Sequence, residues 1–221
     1  MTQNSTNTIP ESSQFLQQHS VLIRIWHWLT FIIISALMIT VLLTSTLMNP
    51  RKNSVMVQDQ LKAKGVIVTM EQASSVAREF EDSMWNVHKH LGYGLAFLFL
   101  ARIIIELVAP GEEKVYSRVK KASGLFKNHE GNNSEYMHFI WVKRGYLLFY
   151  TFIFIMIITG IGLALGHDVS SLEKMHRAIK EVHSFCQIFI YGFVLLHLFG
   201  VIIIENRNAK AIVSGMINGN K

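Results

Sequence analysis

The stretch EVHSFCQIFIYGFVLLHLFGVIII, Glu181 to Ile204, decides the fold. It is almost wholly apolar and exceeds the ~20 residues a helix needs to cross a bilayer. Two histidines interrupt it, His183 and His197, fourteen residues apart. At about 100° per residue, fourteen steps end roughly 40° short of four full turns, so both imidazoles leave one helix face. A rise of about 1.5 Å per residue separates them by roughly 21 Å, most of a hydrocarbon core. One helix therefore offers a nitrogen ligand toward each side of a membrane.

Outward from that segment, three more apolar runs of spanning length lie at about 21–48, 88–108 and 145–165, with the quoted one spanning 183–204. The first is longer than a straight crossing requires, which implies tilt or a projecting end. Alternating decads of a transmembrane barrel are absent. The expected fold is all-α, a polytopic membrane four-helix bundle. A polar tail (1–20) precedes the membrane domain (21–205), and a second tail (206–221) follows it. The first run is too long for a signal peptide's apolar region and no small-residue cleavage site follows it, so it reads as a retained helix.

The connection from 49 to 87 is long. Val55–Ala63 and Ser74–Trp85 read as two short amphipathic helices around Gly65. Ala109-Pro110-Gly111 stops the second span, and a basic loop over about 111–144 follows. The third span ends in Thr159-Gly160-Ile161-Gly162, small residues that let a helix or a flat cofactor come close. The KAIVSGMINGNK tail reads as a short surface helix. The net charge of +6 sits in loops, where headgroups and positive-inside bias account for it; nucleic acid is not an expected partner. That bias favours cytoplasmic termini only slightly, because Arg51 and Lys52 directly follow the first span.

Ten histidines are present, of which His19, His129, His138, His167 and His176 fall in loops or tails. The intramembrane ones pair by depth. His27 lies roughly 9 Å inside the face where the first span enters, and His197 about 10 Å inside the same face where the last span leaves. His88 and His183 match at the opposite face. A lone intramembrane histidine usually just bonds a neighbouring helix. Two depth-matched pairs are instead the ligand set for two haems b with bis-histidine axial ligation. With both axial positions filled, such sites favour electron transfer over oxygen activation. The single cysteine, Cys186, and the lack of a CxxCH motif make the haem noncovalent. His90 lies about 200° around the helix from His88, so only one of them faces the bundle. Arg102 stands fourteen residues after His88, in phase with it. A charge there needs a partner: haem propionates at the His27/His197 level, or Glu106 one turn on. Arg24 and the Lys143-Arg144 pair are weaker candidates for the same role.

The chain resembles the prokaryotic cytochrome b561 and hydrogenase b-type cytochrome superfamily, and is closer to its b561 branch. The resemblance rests on RIWHW at Arg24–Trp28, HKHLG at His88–Gly92 with Arg102 beyond it, TG at Thr159–Gly160, and KEVH at Lys180–His183 with His197 fourteen residues on. It implies His27 with His197 at a cytoplasmic haem, His88 with His183 at a periplasmic one, and both termini cytoplasmic in a bacterial inner membrane. Tyr146 stands where family members often carry a histidine, and the first loop is longer than in compact b561 proteins.

The expected function is a membrane di-haem cytochrome carrying electrons between the quinone pool and a partner or oxidant. Quinone or quinol, a cytochrome c or a redox-enzyme subunit are the expected partners, beside membrane lipid; a homodimer is compatible with the sequence and not required by it. Two other readings stand beside it. One is an anchor subunit of a larger redox complex. The other is a histidine-lined metal-ion transporter, which acidic residues and broken helices at mid-membrane would mark; only Glu106 is acidic within a span.

Overall fold

A computed structural model describes residues 20–110, 114, 117, 120, 133–166, 170–206 and 216–217. Among them are five helices and no strand: α1 (Val21–Thr46), α2 (Pro50–Ala63), α3 (Met70–Val108), α4 (Asn133–Ala164) and α5 (Ser170–Asn206). All but α2 are long and apolar enough to cross a membrane. His19, His129, His167, most of both tails and most of the 111–132 loop lie outside the described residues, as do the side chains of His138 and Lys143.

Local signals explain the boundaries. Ser20 caps α1, accepting from the Ile23 amide at 3.4 Å. Asn49 caps α2 by accepting from the Arg51 and Lys52 amides, and Pro50 fills the first turn, where no amide is needed. α2 stops in a Schellman motif: Val66 N–H donates to Leu61 O at 2.9 Å and Gly65 N–H to Lys62 O at 3.0 Å. That closure requires φ +80° at residue 65, a conformation glycine adopts without steric cost. Thr69 and Gln72 then form a reciprocal capping box at the start of α3.

α3 corrects one expectation. Ser74–Trp85 is not a separate short helix; one helix of 39 residues runs from the capping box through the second span to Val108. No proline or glycine interrupts Met70 to Leu91, so the change from amphipathic to apolar composition is no chain break. Likewise α5 is 37 residues long and starts well before His183. The histidines that ended the apolar runs therefore sit inside continuous helices. The first half of α3 packs against α2, with Ala73 and Ala77 at 1% and 0% exposure and Ser54 buried nearby. Small side chains there let the two backbones come close.

In the bundle, α1 packs mainly on α3 and α4 on α5, with a lesser α3/α4 contact joining the pairs. Each spanning helix gives one residue to a buried layer of Ile34, Leu95, Ile153 and Ile190. Phe149 on Phe193 and Phe152 on Phe189, with ring centroids 4.3 and 3.7 Å apart, close the α4/α5 seam. Large apolar side chains such as Phe97, Leu147, Ile188 and Leu196 point outward, as a lipid-facing surface requires.

Candidate functional site

On α5 the buried or half-buried positions His183, Cys186, Ile190, Phe193 and His197 form one stripe at helical spacing. The stripe puts both histidines on the face that meets the other helices. Seven residues separate Ile190 from each of them, as seven separate Ile34 from His27 and Leu95 from His88. The buried layer therefore lies about 10 Å from either histidine level.

At one level, α1 and α5 bring His27 and His197 together, ring centroids 6.3 Å apart. Two imidazole nitrogens each ~2 Å from a shared ion put their ring centres about 6 Å apart, so this spacing suits one ion between them. His27 Nδ1 is buried without a hydrogen-bond partner. Phe193 stacks on His197 with planes 4° apart, and Tyr146 packs in turn on Phe193, centroids 6.4 Å apart. Tyr146 thus belongs to the wall of this level.

Arg102 reaches the same level from α3. Its guanidinium lies 5.8 Å from the Trp26 ring centre and bonds Glu106 at 3.1 Å. Arg24, on α1, donates through Nη1 to Ile217 O at 2.9 Å, while its Nε is buried without a partner. Trp26 is half-buried where α1 meets α3. Its Nε1–H donates 2.7 Å to Leu98 O and ties α1 to α3. Trp28 instead donates to Met216 O at 3.1 Å and, with Arg24, fastens part of the C-terminal segment.

At the other level, His88 of α3 and His183 of α5 lie within electrostatic range of each other. His90 is on the outer face, exposed and bonded to Asn86 O of its own helix at 2.8 Å. The helical phase that separated the two positions in the sequence is the one the fold adopts. Each inward histidine has a threonine at Nδ1. Thr40 Oγ1 is 2.8 Å from His88 Nδ1, and Thr159 Oγ1 is 2.9 Å from His183 Nδ1. A Cβ on Gly160 would stand 3.3 Å from His183 Cε1, so the Thr159-Gly160 pair admits an imidazole edge.

The threonines escaped sequence reasoning. Hydroxyls in apolar helices commonly bond their own backbone carbonyls, so nothing in composition sets Thr40 or Thr159 apart. Spacing gave no help either: six residues past Ile34, Thr40 stands about 240° around α1 from it.

The fit to a haem is direct. Each level presents two imidazoles, and no cluster of three or more His, Cys, Asp or Glu that could hold an ion exists among the described residues. Two protein nitrogens are too few for a bare transition-metal ion and are the number a porphyrin leaves open. A model of the family described as prokaryotic cytochrome b561 matches residues 18–219. The chain belongs to the prokaryotic cytochrome b561 family. No curated protein and no solved structure matches it. As a member of that family with four spanning helices, it is a multi-pass bacterial membrane cytochrome of the b type, with haem b as its cofactor and electron transfer as its role. The b561 family match covers both histidine levels and all four spans.

Proposed function

We propose that the protein holds two noncovalent haems b, one between His27 and His197 and one between His88 and His183, and carries electrons across the membrane between the quinone pool and a partner or oxidant. The observation that carries this is the paired placement of four inward imidazoles on either side of one apolar layer. A haem iron with imidazole on both faces exchanges single electrons and offers no open position to oxygen.

The chain's own groups do the rest. α5 supplies a ligand to each level, so its rigidity fixes the distance between them. α1 completes one level and α3 the other. Arg102 and Arg24 supply cationic donors for propionates at the His27/His197 level; the unpartnered Nε of Arg24 and the inward reach of Arg102 support this. Phe193 and Tyr146 wall that level from water. Family resemblance supports a cytoplasmic side for this level and for both termini. A second reading, an anchor subunit of a larger redox complex, is favoured by the extramembrane α2/α3 arm and its exposed Met56, Val66, Ile67 and Phe80.

Purified protein is expected to show a b-type α-band in a reduced-minus-oxidised spectrum and two haems per chain by pyridine haemochrome. A ratio of one rejects the two-haem form. His183→Ala is expected to remove one haem and leave the His27/His197 signal intact; equal loss of both rejects the pairing. Co-purification of a soluble redox subunit, abolished by deleting 50–63, would favour the anchor reading.

A further inference from the structure

Both inward histidines at the His88/His183 level meet a threonine hydroxyl at Nδ1, and His27 at the other level does not. Thr40 Oγ1 lies 2.7 Å from Leu37 O, and Thr159 Oγ1 lies 2.7 Å from Ile155 O and 3.2 Å from Met156 O. A hydroxyl has one proton to give. In each threonine the helix's own carbonyl takes it, so Oγ1 meets the imidazole as an acceptor. His88 and His183 then each donate Nδ1–H to a threonine, which leaves both Nε2 atoms as the lone-pair nitrogens. The arrangement repeats across the bundle: a threonine of α1 serves a histidine of α3, and a threonine of α4 serves one of α5. At the opposite level His27 Nδ1 has no hydrogen-bond partner.

We propose that Thr40 and Thr159 are a matched pair of positioning residues that set the tautomer of His88 and His183 and lower the reduction potential of the haem between them. This rests on the two-haem reading above. A hydrogen bond accepted from Nδ1–H makes the ligating nitrogen more electron-donating, which stabilises ferric over ferrous iron. Thr40 is buried and Thr159 half-buried, so water competes weakly for either bond. The two levels consequently differ in potential through their own helices.

Spectroelectrochemical titration of the purified, haem-loaded protein in detergent tests this, using Thr40→Val, Thr159→Val and the matching Thr→Ser variants. Valine keeps the shape and removes the acceptor. Each valine variant is expected to raise the midpoint of the same one of two components, by about tenfold in the oxidised-to-reduced ratio, or ~59 mV for one electron. Each serine variant is expected to titrate like the parent. Thr→Ala serves, with the same readout, where a valine variant does not load haem. The proposal is overturned if both components stay in place, if Thr40 and Thr159 move different components, or if serine shifts the midpoint as far as valine. A parent protein that titrates as a single component, with one haem per chain, would instead reject the two-haem reading itself.

Discussion

Gly160 shows how little space one ligand has. A Cβ on residue 160 would stand 3.3 Å from His183 Cε1, so even a methyl group needs the ring to give by a few tenths of an ångström, and a branched side chain needs more. Gly160→Val is therefore expected to lower haem content toward one per chain while the His27/His197 component persists; pyridine haemochrome with redox titration measures both. Arg102 has a different kind of constraint. Its side chain is 12% exposed and paired with Glu106, so Arg102→Gln removes a half-buried ion pair. The expected result is a lower thermal midpoint by static light scattering and an altered His27/His197 midpoint, with the other component unmoved. The inward placement of His27, His88, His183 and His197 was legible in the sequence because a histidine in an apolar run is rare and its phase can be counted. The threonines were not, because which imidazole each hydroxyl meets is a tertiary fact. Arg102 showed its charge and phase in the sequence, but Trp26 beneath it became visible only once α1 and α3 were docked.

Among the elements, α3 departs most from the pattern read in the sequence. A switch from amphipathic to apolar composition near Trp85 resembled a boundary, yet a helix ends only where capping groups or a breaker end it. The first breaker after Thr69 that stops the helix is Pro110. The extramembrane half is held by Ala73 and Ala77 against α2, a contact with no room for larger side chains. Ala77→Leu is expected to destabilise that contact by about 1–3 kcal/mol. Limited proteolysis should then cut the 47–69 segment faster, with the haem spectrum unchanged because Ala77 lies eleven residues, about 16 Å, along α3 from His88. By contrast α5 was legible almost whole. Its inward stripe of His183, Cys186, Ile190 and His197 follows helical arithmetic alone, and only its extension before residue 181 needed the fold.

At the scale of the molecule, four spans and their apolar exterior follow from hydropathy, whereas the pairing α1/α3 and α4/α5 depends on side-chain fit that no single segment encodes. The feature with the widest consequence is the layer of Ile34, Leu95, Ile153 and Ile190, packed about by Met38, Phe99, Phe149, Phe189 and other apolar side chains. Its four members are aliphatic and none of them can hand on a proton. In the proposed arrangement an electron moving between the two histidine levels travels about 21 Å of a ~30 Å hydrocarbon core without a compensating ion. Such a transfer is electrogenic. Moving one charge through the whole membrane field is worth ~2.3 kcal/mol per 100 mV, so this path feels about 1.6 kcal/mol. In sealed proteoliposomes, electron flow from an internal reductant to an external acceptor is expected to slow as voltage builds and to quicken when an ionophore collapses it. Four aliphatic side chains would thereby couple the protein's turnover to the charge state of its membrane.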